Sequence, residues 1–277
     1  MKRSQEYDIA IVILFAALSC ALQALRGVLG IQGGYGMALD LVAVPALLAF
    51  FLYGYRSSVA VLLLASIFIA FTAPDSWLGA SMKLAATLPM ISIPALYALF
   101  MERKFSLNRL WLNAFFALFV ALFVFALFEA MTTPPAPLSV ASLVIGEKGV
   151  TIVQNEIQLG GLLLGMLPIA AIFLLSFWLL LIWGRYSKKL SPMPFAQPRL
   201  LAEVVAVALF IRIAAMLAAN YYYAGPIYLS ATTEGIMTAL QWYMIIGWNA
   251  AQGILEVLIA WLLVFGLGFA RKYAAWQ

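Results

Sequence analysis

Asn249, Gln252 and Glu256 stand at i, i+3 and i+7 within QWYMIIGWNAAQGILE (residues 241–256), in the last long apolar stretch of the chain. That spacing puts all three on one face of a helix. Two amides can each donate and accept a hydrogen bond, and a carboxylate can hold a cation or a proton. A face turned to lipid would not carry such a column, because unpaired polar groups are costly in hydrocarbon. The column therefore faces protein, water or a ligand. Sequence alone leaves two readings open, interhelical hydrogen-bond glue and a binding surface.

Two further charges lie at the same depth or near it. Arg212 is about 13 residues from the cytosolic start of its apolar run, and Glu256 about 14 from the cytosolic end of its own. At a rise of about 1.5 Å per residue both are deep in a bilayer, and each needs a partner. The obvious partner of each is the other, as a structural ion pair. A proton or ion route through Glu256 is the alternative, although no second carboxylate falls clearly at its depth. One layer further out lie Asn220, in LAANYYY, and Asn249, with Lys83 at a comparable level. Tyr221, Tyr222, Tyr223, Trp242, Tyr243 and Trp248 crowd that layer. They form either the usual interfacial belt or the walls of an outward pocket for a planar, hydrogen-bonding solute.

The chemistry that composition excludes is as informative. The 277 residues include no histidine and one cysteine, Cys20. An intrachain disulfide, a Cys/His metal centre and a histidine general base are therefore ruled out. No helix carries paired carboxylates and no acidic Mg²⁺ motif is present, so no catalytic residue, metal or cofactor is expected and the chain is not read as an enzyme. The net charge of +5 follows the pattern of membrane topology, and nucleic acid is not an expected partner.

The elements that must hold these residues are membrane helices. The chain is 66% hydrophobic and 10% charged, with a mean hydropathy of +1.03, which a soluble protein could not bury. Apolar runs fall at 7–29, 38–54, 57–73, 77–101, 108–131, 157–184, 199–223 and 239–269. They predict an all-α, polytopic bundle of about eight transmembrane helices. The first run lacks a cleavage site and reads as a retained helix.

Twelve of the sixteen basic residues fall on one set of helix ends. They are Lys2, Arg3, Arg56, Arg103, Lys104, Arg109, Arg185, Lys188, Lys189, Arg199, Arg271 and Lys272; only Lys148 lies clearly on the other set. The positive-inside rule then predicts a multi-pass cell-membrane protein with both termini cytoplasmic. Among the outer loops, GIQGGYGMALD (30–40) reads as a lid around Tyr35. Asp40 and Asp75 read as helix caps ahead of ligand contacts. The long loop 132–156 holds a short hairpin or lies on the membrane surface. Ala10, Ala17, Ala21 and Ala24 form a stripe of small residues on the first helix, and Gly161 and Gly165 share the same spacing on the sixth.

DLVAVPALL (40–48), LAANYYYAGPIY (217–228) and GWNAAQGILE (247–256) together resemble the substrate-binding S component of energy-coupling-factor vitamin transporters, closest to the riboflavin-specific branch. The resemblance covers helices 1–4 and the last two. It implies one membrane domain, with a six-helix core at 1–107 and 187–277 and an inserted helical pair at 108–186. It further implies capture of a vitamin-like solute from outside, a membrane T component and cytosolic ATPase subunits as partners, and docking through Ala17 and Ala21. Asn220 and Asn249 carry over as solute contacts. Gln252 stands where that branch has Lys, which leaves the solute open and weakens any preference for an anionic tail. The expected site is thus Asn220, Asn249, Gln252, Lys83, Tyr35, Tyr223 and Trp248. An intramembrane enzyme, or an assembly protein whose polar column is structural, remains the alternative.

Overall fold

The computed structural model describes residues 5–32, 38–73, 76–101, 137–146, 149–186, 192–229 and 233–273. Helices dominate: α1 (Gln5–Ala24), α2 (Arg26–Leu29), α3 (Val44–Tyr53), α4 (Tyr55–Thr72), α5 (Ser76–Met101), α6 (Leu159–Tyr186) and α7 (Pro198–Ala219). They continue as α8 (Gly225–Leu229), α9 (Thr233–Ala239), α10 (Trp242–Trp261) and α11 (Phe269–Tyr273).

Five helical segments are long and apolar enough to cross a membrane: Tyr55–Thr72, Trp77–Phe100, Gly165–Trp183, Pro198–Ile227 and Trp242–Gly266. The protein is accordingly a multi-pass helical membrane protein. Ile9–Ala24 and Val44–Tyr53 are apolar but shorter, and the run 108–131 lies outside the described residues.

Strands occur among the described residues as two antiparallel hairpins. β1 (Ile31–Gln32) pairs with β2 (Ala38–Leu39), in the register Ile31↔Leu39. β3 (Pro137–Gly146) pairs with β4 (Gly149–Gln158), from Pro137↔Gln158 to Gly146↔Gly149. The second hairpin departs from an all-helical bundle. It occupies the long loop, where β-branched residues run between glycines and favour extended backbone.

The chain divides into two compact units. The first comprises Met1–Phe105, Ile172–Ile213 and Gly247–Gln277. Its centre is α3, buried along Val44–Leu52. Phe50 and Phe51 pack edge-on at 5.4 Å between ring centroids, and Phe51 meets Phe265 at 5.5 Å. Trp261 donates its indole N–H to the Phe195 carbonyl at 2.9 Å. α3 turns into α4 at Gly54, whose φ of 88° and ψ of −174° belong to a region open in practice only to glycine. The Ser58 hydroxyl closes that corner by donating to the Ala46 carbonyl at 2.7 Å.

The second unit comprises Ser106–Ala171 and Ala214–Ile246. At its middle the helix begun as α7 widens into one π turn, Asn220–Ala224. A Cβ on Gly165 would lie 2.8 Å from the backbone of Tyr222 and Tyr223. The glycine is what lets α6 approach the π turn so closely, as small residues do between membrane helices.

Candidate functional site

The first unit gathers five ionisable side chains into one chain of alternating charge. Arg212 on α7 donates from Nη1 to Glu256 Oε2 on α10 at 3.1 Å. Lys83 on α5 donates to Glu256 Oε1 at 3.0 Å and to Asp40 Oδ1 at 2.8 Å. Arg26, at the start of α2, lies 3.7 Å from Asp40 Oδ2. The Glu256 and Arg212 side chains are 0% and 3% exposed, against 24% for Arg26. The sequence therefore runs from a sealed end at Arg212 to a half-buried end at Arg26.

Glu256 is thus not limited to Arg212. Lys83 joins it to a second carboxylate, Asp40, which sequence position alone assigns to helix capping. Asp40 does accept a local hydrogen bond, from the Val42 N–H at 3.0 Å. That bond turns the loop into α3, while the same carboxylate faces the ion chain. Lys83 reaches both carboxylates because its four-carbon stem spans the gap between α5 and α10.

Amides secure the arrangement. Asn249 Oδ1 accepts from Arg212 Nε at 3.4 Å. Gln252 Nε2 donates to the Asp40 carbonyl at 2.7 Å and to Glu256 Oε1 at 2.5 Å, while its Oε1 accepts the Asp40 N–H at 2.9 Å. One side chain therefore satisfies both backbone groups of a residue in a loop, as a neighbouring strand would. Gly253 makes room for this meeting: a Cβ there would stand 2.6 Å from Leu209 Cδ2 and 3.4 Å from Arg212 Nη1.

Of the sequence-designated residues, Lys83, Arg212, Asn249, Gln252 and Glu256 come together here. Trp248 belongs to the same unit, and its indole Nε1 is buried with no hydrogen-bond partner. Asn220 and Tyr223 belong to the second unit. There the Asn220 amide donates to the Met216 carbonyl at 2.7 Å, and Tyr223 is buried. Tyr35 lies outside the described residues. Ala17 and Ala21 are exposed, as are Ala10 and Ala24, whereas Ile11, Ala16 and Ser19 on the same helix are buried.

Sequence reasoning missed Arg26 and Asp40 as members of the cluster. Their acid–base spacing is not local, and only the β1–β2 hairpin, which returns the chain from Ile31 to Leu39, makes them neighbours. Among the described residues no group of three Cys, Asp or Glu is placed to hold a metal ion. Comparison with protein-family models, curated proteins and solved structures gives no match in any of the three, so the site is read from its own geometry.

Proposed function

We propose that the protein is the solute-binding membrane subunit of a vitamin uptake transporter, taking riboflavin or a similarly planar heterocycle from outside. Import would be driven by ATP through a membrane T component and cytosolic ATPases. In this reading the chain crosses the membrane eight times, both termini are cytoplasmic, and the subunit itself does no covalent chemistry.

The observation that carries the reading is the buried ion chain with its two amides, set among helices apolar enough to span a bilayer. Ionisable groups at such positions are expensive, and in membrane proteins they mark solute or ion sites. Asn249 and Trp248 adjoin this network and supply an amide and an aromatic face to a flat ring. The exposed Ala17/Ala21 stripe offers a close-approach surface for a partner helix.

A second reading, a membrane assembly protein, draws support from Gln252, whose amide is committed to Asp40 and Glu256 inside the protein. Titration of the purified chain with riboflavin, followed by flavin and tryptophan fluorescence, separates the two. Saturable quenching that is lost in Asn249→Leu supports solute capture. Absence of any response to riboflavin and to a panel of flat heterocycles supports assembly.

A further inference from the structure

Two carboxylate oxygens on different elements share one cation. Lys83 Nζ lies 2.8 Å from Asp40 Oδ1 and 3.0 Å from Glu256 Oε1, with its side chain 14% exposed. The second oxygen of each carboxylate is turned to an arginine. Asp40 Oδ2 lies 3.7 Å from Arg26 Nε, and Glu256 Oε2 accepts from Arg212 Nη1 at 3.1 Å. The ammonium therefore holds the middle position in an alternating row of charges.

The walls of that position are held by groups other than Lys83. The Val42 N–H donates to Asp40 Oδ1 at 3.0 Å, and the Gln252 amide binds both backbone groups of Asp40. Glu256 is fixed by Arg212 on one oxygen and by Gln252 Nε2, at 2.5 Å, on the other. Gln252 Nε2 also lies 3.4 Å from Asp40 Oδ1, so one amide nitrogen spans the same two oxygens as the ammonium. Lys83 comes from a third element, α5, and reaches in on a flexible stem. Its charge sits between anions that the loop and α10 already position. Truncating the stem would leave two buried carboxylates facing a space of ammonium size, and buried charges are paired or bind metal ions.

We infer that the gap between Asp40 and Glu256 is a monovalent-cation position, which the Lys83 ammonium fills as a tethered ion. Charge and size set the ligand class. A single charge keeps the alternation between Arg26 and Arg212, and a divalent ion would exceed it. Ammonium and K⁺ are close in size and Na⁺ is smaller, so the first two fit the position better. One consequence rests on the solute-capture reading above: capture draws on no dissolved co-ion, because an ion arriving at Glu256 meets a place already taken.

The test replaces the tethered ion in the full chain, in lipid nanodiscs at constant ionic strength with chloride as the common anion. Lys83→Ala opens the position, and its thermal midpoint is followed in ammonium, K⁺, Na⁺ and N-methylglucamine, a cation too large to enter. Ammonium and K⁺ are expected to raise the midpoint saturably, by at least about 2 °C, with Na⁺ doing less and N-methylglucamine nothing. The unsubstituted protein is expected to show one midpoint in all four salts. Adding Glu256→Gln to Lys83→Ala removes one wall and is expected to abolish the response. A response equal in all four salts, none in any, or one that survives Glu256→Gln overturns the proposal. If Lys83→Ala does not fold, Lys83→Gln carries the same series, and failure of both variants in every salt overturns it too. Riboflavin affinity of the unsubstituted protein, read by fluorescence, is expected to be equal in K⁺ and N-methylglucamine. An affinity that depends on K⁺ overturns the co-ion consequence alone. Absence of riboflavin binding tells against solute capture and leaves the cation position standing on the stability series.

Discussion

Gln252 and Asp40, 212 residues apart in sequence, exchange two hydrogen bonds through one side-chain amide, at 2.7 and 2.9 Å. The loop that follows β2 is thereby fixed to α10 through backbone rather than through charge. Gln252→Leu strips partners from a buried N–H and a buried C=O, each worth about 1–3 kcal/mol when left unmade. The variant is expected to lose about 2–6 kcal/mol by that measure, seen as a clear fall in thermal midpoint in detergent. An unchanged midpoint would show that water replaces the amide.

Arg212 and Glu256 form the sealed end of the ion chain. Removing one partner of such a pair costs about 3–5 kcal/mol because the other charge remains buried. Arg212→Leu and Glu256→Leu are each expected to destabilise strongly, and the double variant by less than their sum. Strict additivity in the double-mutant cycle contradicts the contact. Glu256→Leu is expected to be the worse single change, since it strands Lys83 as well as Arg212.

Lys83 and Arg26 both approach Asp40, and their burial separates their contributions. Lys83 sits 2.8 Å from the carboxylate with its side chain 14% exposed, while Arg26 sits at 3.7 Å and 24%. Water reaches Arg26 more readily and weakens its attraction. Lys83→Met is expected to destabilise by about 3–5 kcal/mol, and Arg26→Met to weaken the hold on Asp40 by less. Chemical denaturation of the two variants checks the order, and the reverse order would place the main anchor of Asp40 on α2.

How far the sequence shows these features depends on whether the deciding contact is local. Apolar runs mark α4 and α5 to within a few residues, because hydropathy changes sharply at Gly54 and near Ala73. The last run, 239–269, gives no sign that it breaks at Leu240–Gln241, widens into a π turn at Leu262–Gly266 and turns at Gly268 with φ 76°. Composition stays apolar across all three points, and backbone irregularity has no hydropathic signature. Within the site, counting residues from helix ends is enough to match the depth of Arg212 and Glu256. The same counting puts Lys83 one layer away, because it locates Cα atoms and not the reach of a lysine. The backbone groups of Asp40 that Gln252 binds have no side-chain signature at all.

The distribution of Lys and Arg carries the topological prediction. Single cysteines at Ser142 and Ser187, in a Cys20→Ser background, are expected to react with impermeant reagent from outside and from inside respectively. Ser142 lies on β3, in the long loop whose one basic residue is Lys148. Labelling of both from one side would refute eight crossings with cytoplasmic termini.

Ala17 and Ala21 close the set, because their exposure separates partner docking from internal packing. Both are exposed on α1 while Ile11, Ala16 and Ser19 turn inward. A tryptophan at either position adds bulk where the side chain is exposed among the described residues, so stability and solute binding are expected to stay within about 0.5 kcal/mol of the parent, as for other surface changes. A helix that approaches along the stripe would be held off by the added ring, since close approach of membrane helices depends on small side chains. Ala17→Trp and Ala21→Trp are therefore expected to abolish uptake in cells that supply the T component and ATPases, with binding by the purified chain intact. Loss of binding as well would assign the stripe to internal packing, and normal uptake would leave it facing lipid alone.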